Sequence, residues 1–168
     1  MRGTKQSHYE SILVEQLSVI ASYLAMTKYI IMQNLPKNKK IILFDGVCNL
    51  CDSAVQFVIK HDKKDVFRFV ALQSDLGQQI LKHIGINPMN IDSVILYEPG
   101  IAYYYKSQAA LEIAKNLGGV LHFGTVFRII PTGISNQLYD YIAKNRYKWY
   151  GKKETCMVPT EQLKLKFL

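Results

Sequence analysis

Cysteine is scarce in this chain, three in 168 residues, and no compact apolar leader with a small-residue cleavage site precedes the first of them. Together these point to a reducing compartment, where a vicinal dithiol can cycle instead of staying locked as a staple, and the expected location is cytoplasmic. The chain has no second Cys-x-x-Cys and no His-x-x-x-His. A four-ligand zinc site would need one Cys-x-x-Cys pair plus Cys156 and the scattered His8, His61, His83 and His122. No nucleic-acid motif accompanies the excess of 21 Lys and Arg over 13 Asp and Glu. Much of that +8 charge gathers near the C-terminus, where a solvated basic face is expected and no nucleic-acid partner is. What is present, 49% hydrophobic and 20% charged residues, suffices for one sizeable core.

The informative stretch is Ile41-Ile42-Leu43-Phe44-Asp45-Gly46-Val47-Cys48-Asn49-Leu50-Cys51. Ile41 to Phe44 is an unbroken, partly β-branched apolar run between a lysine cluster and Asp-Gly, which predicts a short strand buried on both faces. From Asn49 to His61, Cys51, Ala54, Val55 and Val58 fall at i, i+3, i+4 and i+7, one face of a helix, with Lys60 and His61 in its last turn. The two cysteines therefore sit where a strand ends and a helix begins, a place where backbone N–H groups and the helix dipole stabilise a thiolate. A strand, a Cys-x-x-Cys turn and a helix signal a thioredoxin-like redox site. Metal binding and inert buried thiols are the alternatives.

Asp45, Cys48 and Cys51 form a D-x-x-C-x-x-C pattern that resembles the DCC family of thiol-disulfide oxidoreductases. The likeness runs from about Lys39 onward and includes Ala143 to Lys148 and Gly151-Lys152-Lys153, which look like the family's basic C-terminal segment. The resemblance implies a thioredoxin-like fold and an exchange activity on protein or small-molecule thiols and disulfides, with no cofactor. It departs from thioredoxins in two ways. Their acidic residue lies about six positions ahead of the first cysteine, where Asp45 precedes Cys48 by three. Their cis-proline position falls near Ile91-Asp92-Ser93, and Pro88 is a few residues early and reads as a turn former.

Thiol-disulfide exchange needs an attacking thiolate, an accessible sulfur and a second thiol to resolve the mixed disulfide. Cys48, outside the helix, is expected to be the exposed nucleophile, and Cys51, one turn in on the buried face, the resolver. Asp45 would oppose a nearby thiolate but, partly buried, could accept the proton of Cys51; alternatively it caps the turn. Tyr103 to Tyr105, Trp149 and Tyr150 could line a groove, with packing as the default. A phosphatase whose strand ends in D-x-D would need an acid where Val47 stands. An adaptor binding through the basic tail, its cysteines vestigial, is the non-enzymatic rival.

The remaining chain completes a β-α-β-α-β-β-α order with a C-terminal helical extension, an α/β thioredoxin-like mixed sheet. Residues 1–38 form an N-terminal extension with one helix and 39–168 the redox domain. Met1 to Glu10 lacks any apolar period and should be disordered. Ile12 to Met32 should be a packed or interfacial helix; polar interruptions argue against a membrane anchor, and an alternative start at Met32 is conceivable. Val66 to Val70 is the second strand, parallel to the first. Ser74 caps a helix over Asp75 to Ile84, with Leu76, Ile80 and Ile84 inward and Gly85 as its stop. Ile91 to Tyr97 and Ile101 to Tyr105 form a hairpin around Pro99-Gly100, and Ser107 caps a helix facing inward through Ala110, Leu111, Ala114 and Leu117. Leu121 to Ile130 is mildly helical, Ile134 to Asn145 is an amphipathic helix, and Arg146 to Leu168 is a basic, aromatic tail.

Overall fold

The apolar run ahead of the cysteines is β1, Lys40–Phe44, whose last four residues are buried on both faces of a sheet. In this computed structural model, which describes residues 15–20, 22, 26, 34–87, 91, 93–119, 129–154 and 163–168, β1 is central. It pairs in parallel with β2, Phe67–Ala71, and antiparallel with β3, Ile95–Glu98, and β4, Ala102–Tyr105, closes the order β2-β1-β3-β4. The register sets Ile42 opposite both Phe69 and Leu96. Because successive side chains alternate faces, Ile42 and Phe44 share one side with Phe69 and Leu96. There they meet Val55 and Val58 of α1, Asn49–His61, and Ala109 and Ile113 of α3, Lys106–Leu117. Ile41 and Leu43 point to the other side, and α2, Asp75–His83, contributes the fully buried Ile80 and Leu81. The fold is thioredoxin-like.

Local signals hold each connection. Asp62 ends α1 and accepts the N–H groups of Val66 and Phe67 at 2.8 and 3.1 Å, fixing the entry into β2. The Ser74 hydroxyl accepts the Gly77 N–H at 3.1 Å, the expected cap of α2. A β3–β4 turn closes through Ile101 N–H to Glu98 O at 3.0 Å, with Gly100 at φ +76°, the positive value a type II turn demands.

Three details differ from the periodicity. The inner face of α2 is Gly77, Ile80 and Leu81, one residue round from Leu76 and Ile84, because Gly77 lies so close to β2 that a Cβ there would stand 2.2 Å from the Ala71 carbonyl oxygen. Helix α3 starts at Lys106, whose N–H still bonds Val94 O at 3.2 Å, so Tyr105 occupies the cap position. Ser107 is inside the helix and bonds Asn136 at 2.6 Å, and the buried residues are Ala109, Glu112 and Ile113. Third, the last long helix, α4, Thr132–Tyr150, does not end at Asn145. Nothing in Arg146 to Tyr150 breaks a helix, and α4 stops only where Gly151 takes φ +82° with its N–H on Tyr147 O at 2.9 Å.

The chain divides into two compact units, Met1–Leu35 and Pro36–Leu168. In the first, residues 15–20, 22 and 26 are helical and exposed; the rest of the expected 12–32 helix and the polar segment 1–10 lie outside the described residues, as does most of 121–130. Among the described residues no helix is long and apolar enough to cross a membrane. The C-terminus of the second unit is packed: Phe167 stacks on Phe69 and meets Phe44 edge-on, with centroids 5.6 and 6.1 Å away, and Leu168 N–H bonds Phe69 O at 3.0 Å.

Candidate active site

Cys48 is the N-cap of α1. Its backbone is extended, and its sulfur accepts the N–H of Cys51 at 3.4 Å, so it satisfies one of the donors a helix start leaves open. Its exposure is the reverse of the expected one. Cys48 is 0% exposed, whereas Cys51 is only half-buried. The cause is a strap from the far end of the chain. Tyr150, the last residue of α4, and Gly151 to Lys153 after it lie over the cysteine turn: Cys48 pairs with Lys152 as an isolated bridge, Lys153 N–H bonds Val47 O at 2.8 Å, and Asn49 Nδ2 donates to Tyr150 O at 2.8 Å. Lys153 Nζ also pairs with Asp52 of α1.

Cys51 faces a cavity of about 440 Å³ between α1, α3, α4 and one sheet face. Its walls are mostly apolar side chains, joined by Asp45, Ser93, Tyr139 and Arg146. The Cys51 thiol is pushed up to about 12, first by burial, then by hydrogen bonding and charge from Cys48 and by the Asp45 charge, with Arg146 opposing.

Asp45 follows β1 directly and is buried, and four donors converge on it. Oδ1 accepts the Val47 N–H at 3.2 Å and Gln73 Nε2 at 2.8 Å; Oδ2 accepts Arg146 Nη2 at 2.8 Å and the Tyr147 hydroxyl. Gln73 in turn receives the Gly46 N–H on Oε1 at 3.1 Å. Burial alone would raise the Asp45 pKa, but the Tyr147, Val47 and Gln73 hydrogen bonds and the Arg146 charge outweigh it and hold the carboxyl below its ordinary value. Burial would lower Arg146, but the Tyr147 hydrogen bond and the charges of Tyr147, Cys51 and Asp45 raise it further, and burial and the Asp45 hydrogen bond raise the Tyr147 phenol. The turn-capping contact expected of Asp45 is thus present through Val47, and no hydrogen bond joins Asp45 to Cys51 among the described residues.

Sequence reasoning placed Asp45, Cys48 and Cys51 in one turn, and the structure brings them together there. It missed Gln73, Arg146 and Tyr147, the last two assigned to a solvated tail. Their signal was the likeness of Ala143 to Lys148 to a family segment, which gave no reason for a buried arginine. The other candidates stand apart. Tyr103 and Tyr105 are exposed on the edge strand, Trp149 packs on Tyr141 with centroids 5.7 Å apart on α4, and Tyr150 is exposed. His61 Nδ1 lies 2.7 Å from Phe57 O, and His83 meets Tyr97 edge-on. Among the described residues no three His, Cys, Asp or Glu are grouped to hold a metal. Cys156, His8, His122 and Pro88 lie outside the described residues.

The family description DCC1-like thiol-disulfide oxidoreductase matches residues 42–152, a span that holds both cysteines, Asp45, Gln73 and the Arg146-Tyr147 pair. The chain belongs to this family. Within it, the chain is similar to the uncharacterized protein YuxK of Bacillus subtilis, 43% identical over 129 residues that cover 77% of this chain and 93% of the relative. It is also similar to a DCC family protein of Arabidopsis thaliana, named as chloroplastic, at 40% identity over 121 residues, 70% of this chain and 69% of that one. No solved structure matches the chain. Membership in the DCC1-like family supports a thiol-disulfide redox role and thiol or disulfide substrates in general.

Proposed function

We propose that the protein is a thiol-disulfide oxidoreductase in which Cys48 attacks and Cys51 resolves, working on protein or small-molecule disulfides in a reducing compartment such as the cytoplasm. The observation that carries this reading is the bond from Cys51 N–H to the Cys48 sulfur at the first turn of α1. That donor and the positive end of the helix both stabilise negative charge on a sulfur so placed, and Cys51 is the thiol that holds its proton. In the first step the Cys48 thiolate bonds one sulfur of a substrate disulfide and expels the other as a thiolate. Cys51 then loses its proton and bonds Cys48, breaking the mixed disulfide and releasing the second substrate thiol. Two protein thiols are oxidised, one disulfide is reduced, and the two protons pass to the products. Because Cys48 has no exposed surface, the strap Tyr150 to Lys153 must move aside before the first step.

The test is asymmetric trapping. With a small disulfide, Cys51→Ser should accumulate a mixed disulfide on Cys48, visible by intact mass, and Cys48→Ser should not. A stable adduct on Cys51 alone would reverse the roles, and no adduct on either would leave a thioredoxin-like adaptor.

A further inference from the structure

We infer that Arg146 is a positioning residue for the release step: by pairing with Asp45 it cancels a negative charge that would oppose the Cys51 thiolate, and it keeps Asp45 from serving as the base for Cys51. The inference rests on the dithiol reading above and deepens it. Arg146, only 4% exposed, and Asp45 line the same cavity as Cys51. Among the described residues, the groups facing Cys51 that carry or can carry charge are Cys48 and Asp45 from the turn and Arg146 and Tyr139 from α4, while α3 and the sheet present apolar side chains there. An ionised Asp45 alone would add a like charge next to a second thiolate, inside an apolar cavity that screens it poorly. Arg146 Nη2 sits 2.8 Å from Asp45 Oδ2, so the pair presents little net charge to Cys51.

The second point follows from saturation. A base needs a free lone pair aimed at the proton, yet one Asp45 oxygen is held by Val47 and Gln73 and the other by Arg146 and Tyr147. A carboxylate held below its ordinary pKa is also a poor acceptor from a thiol held near 12. The Cys51 proton therefore leaves to solvent through the cavity, and the departing substrate thiolate takes one up.

Sign separates this from a structural role. In a Cys156→Ser background mixed with a chromogenic aromatic disulfide in a stopped-flow cell, the first thiolate released reports attack by Cys48 and the second reports resolution by Cys51. Asp45→Asn leaves an uncompensated cation, so the second release should be about tenfold faster at neutral pH, and its pH profile should move down by about one unit. Arg146→Met should slow the second release about tenfold and move the profile up, whereas Arg146→Lys, which keeps the charge, should stay near the parent. Damage to the fold would slow both variants instead of moving them in opposite directions. If Arg146→Met does not fold, Asp45→Asn and Arg146→Lys still decide. A second release that is slowed or unchanged in Asp45→Asn, with the first intact, would overturn the inference and, if slowed, restore Asp45 as the base. An Arg146→Met protein that folds and resolves at the parent rate would also overturn it. No first release in the parent would instead remove the dithiol reading itself.

Discussion

Asp45 brings a negative charge into a buried turn, and its four donors decide whether that is a cost or a support. Removing a charge from water costs several kcal/mol unless partners replace the lost solvation, and here a guanidinium, a phenol, an amide and a backbone N–H do so. Since the carboxyl titrates lower in the fold than in the unfolded chain, folding is favoured while Asp45 is ionised. Its contribution is whole above the unfolded value of about 3.9 and is lost as pH falls below that, through the lower folded value. Denaturant midpoints measured from neutral pH down into this acid range should drop for the parent, and the drop should be shallower in Asp45→Asn. Asp45→Asn will itself start lower at neutral pH, because it leaves Arg146 buried beside an uncharged partner.

At the scale of elements, the site is two termini held face to face: the N-terminus of α1, carrying both cysteines, and the C-terminal end of α4 with its strap. Gly151 is the joint between α4 and the strap. At φ +82° and ψ 168° it occupies a region that is essentially closed to residues with a side chain, and an added Cβ would come 3.1 Å from Asn49 Nδ2. Gly151→Ala should therefore cost about 1–3 kcal/mol locally, spent on loosening the strap before the sheet. Alkylation of Cys48 by a small reagent should quicken relative to Cys51, while the far-UV spectrum stays unchanged. Equal quickening of both cysteines would mean that the strap does not shield Cys48 in particular.

Across the second unit, the described residues after Asn145, 146–154 and 163–168, belong to the fold and are not a detachable basic tail. Arg146 and Tyr147 complete the Asp45 cluster, Gly151 to Lys153 cover Cys48, and Lys166 pairs with both Asp62 and Asp65 at 3.1 and 2.6 Å near the start of β2. Phe167 closes the same end against Phe44 and Phe69. It keeps some surface open to solvent, so Phe167→Ala should cost about 2 kcal/mol, below the 3–5 of a fully buried phenylalanine, and lower the denaturant midpoint without changing the rate of Cys51 resolution. Deleting Arg146 to Leu168 would strip all of these contacts at once, and loss of redox activity in such a truncation would reflect the fold as much as the chemistry.

The strands and the helix starts were legible in the sequence because their causes are local. β-branched runs, the Ser74 cap and the Pro99-Gly100 turn each act within a few residues, and they specified the parallel first pair, the hairpin and a Cys-x-x-Cys turn on a helix N-terminus. Exposure and charge pairing have no such local cause. Whether Cys48 or Cys51 meets solvent depends on a strap about 100 residues later, and the state of Asp45 depends on Arg146 and Tyr147, 101 and 102 positions away. A lysine- and arginine-rich segment looks the same in sequence whether its cations face water or a buried carboxylate. Residue types and short spacings thus determined where the dithiol sits, and only the packing of α4 against α1 and α3 decided which sulfur is covered and which charge is cancelled.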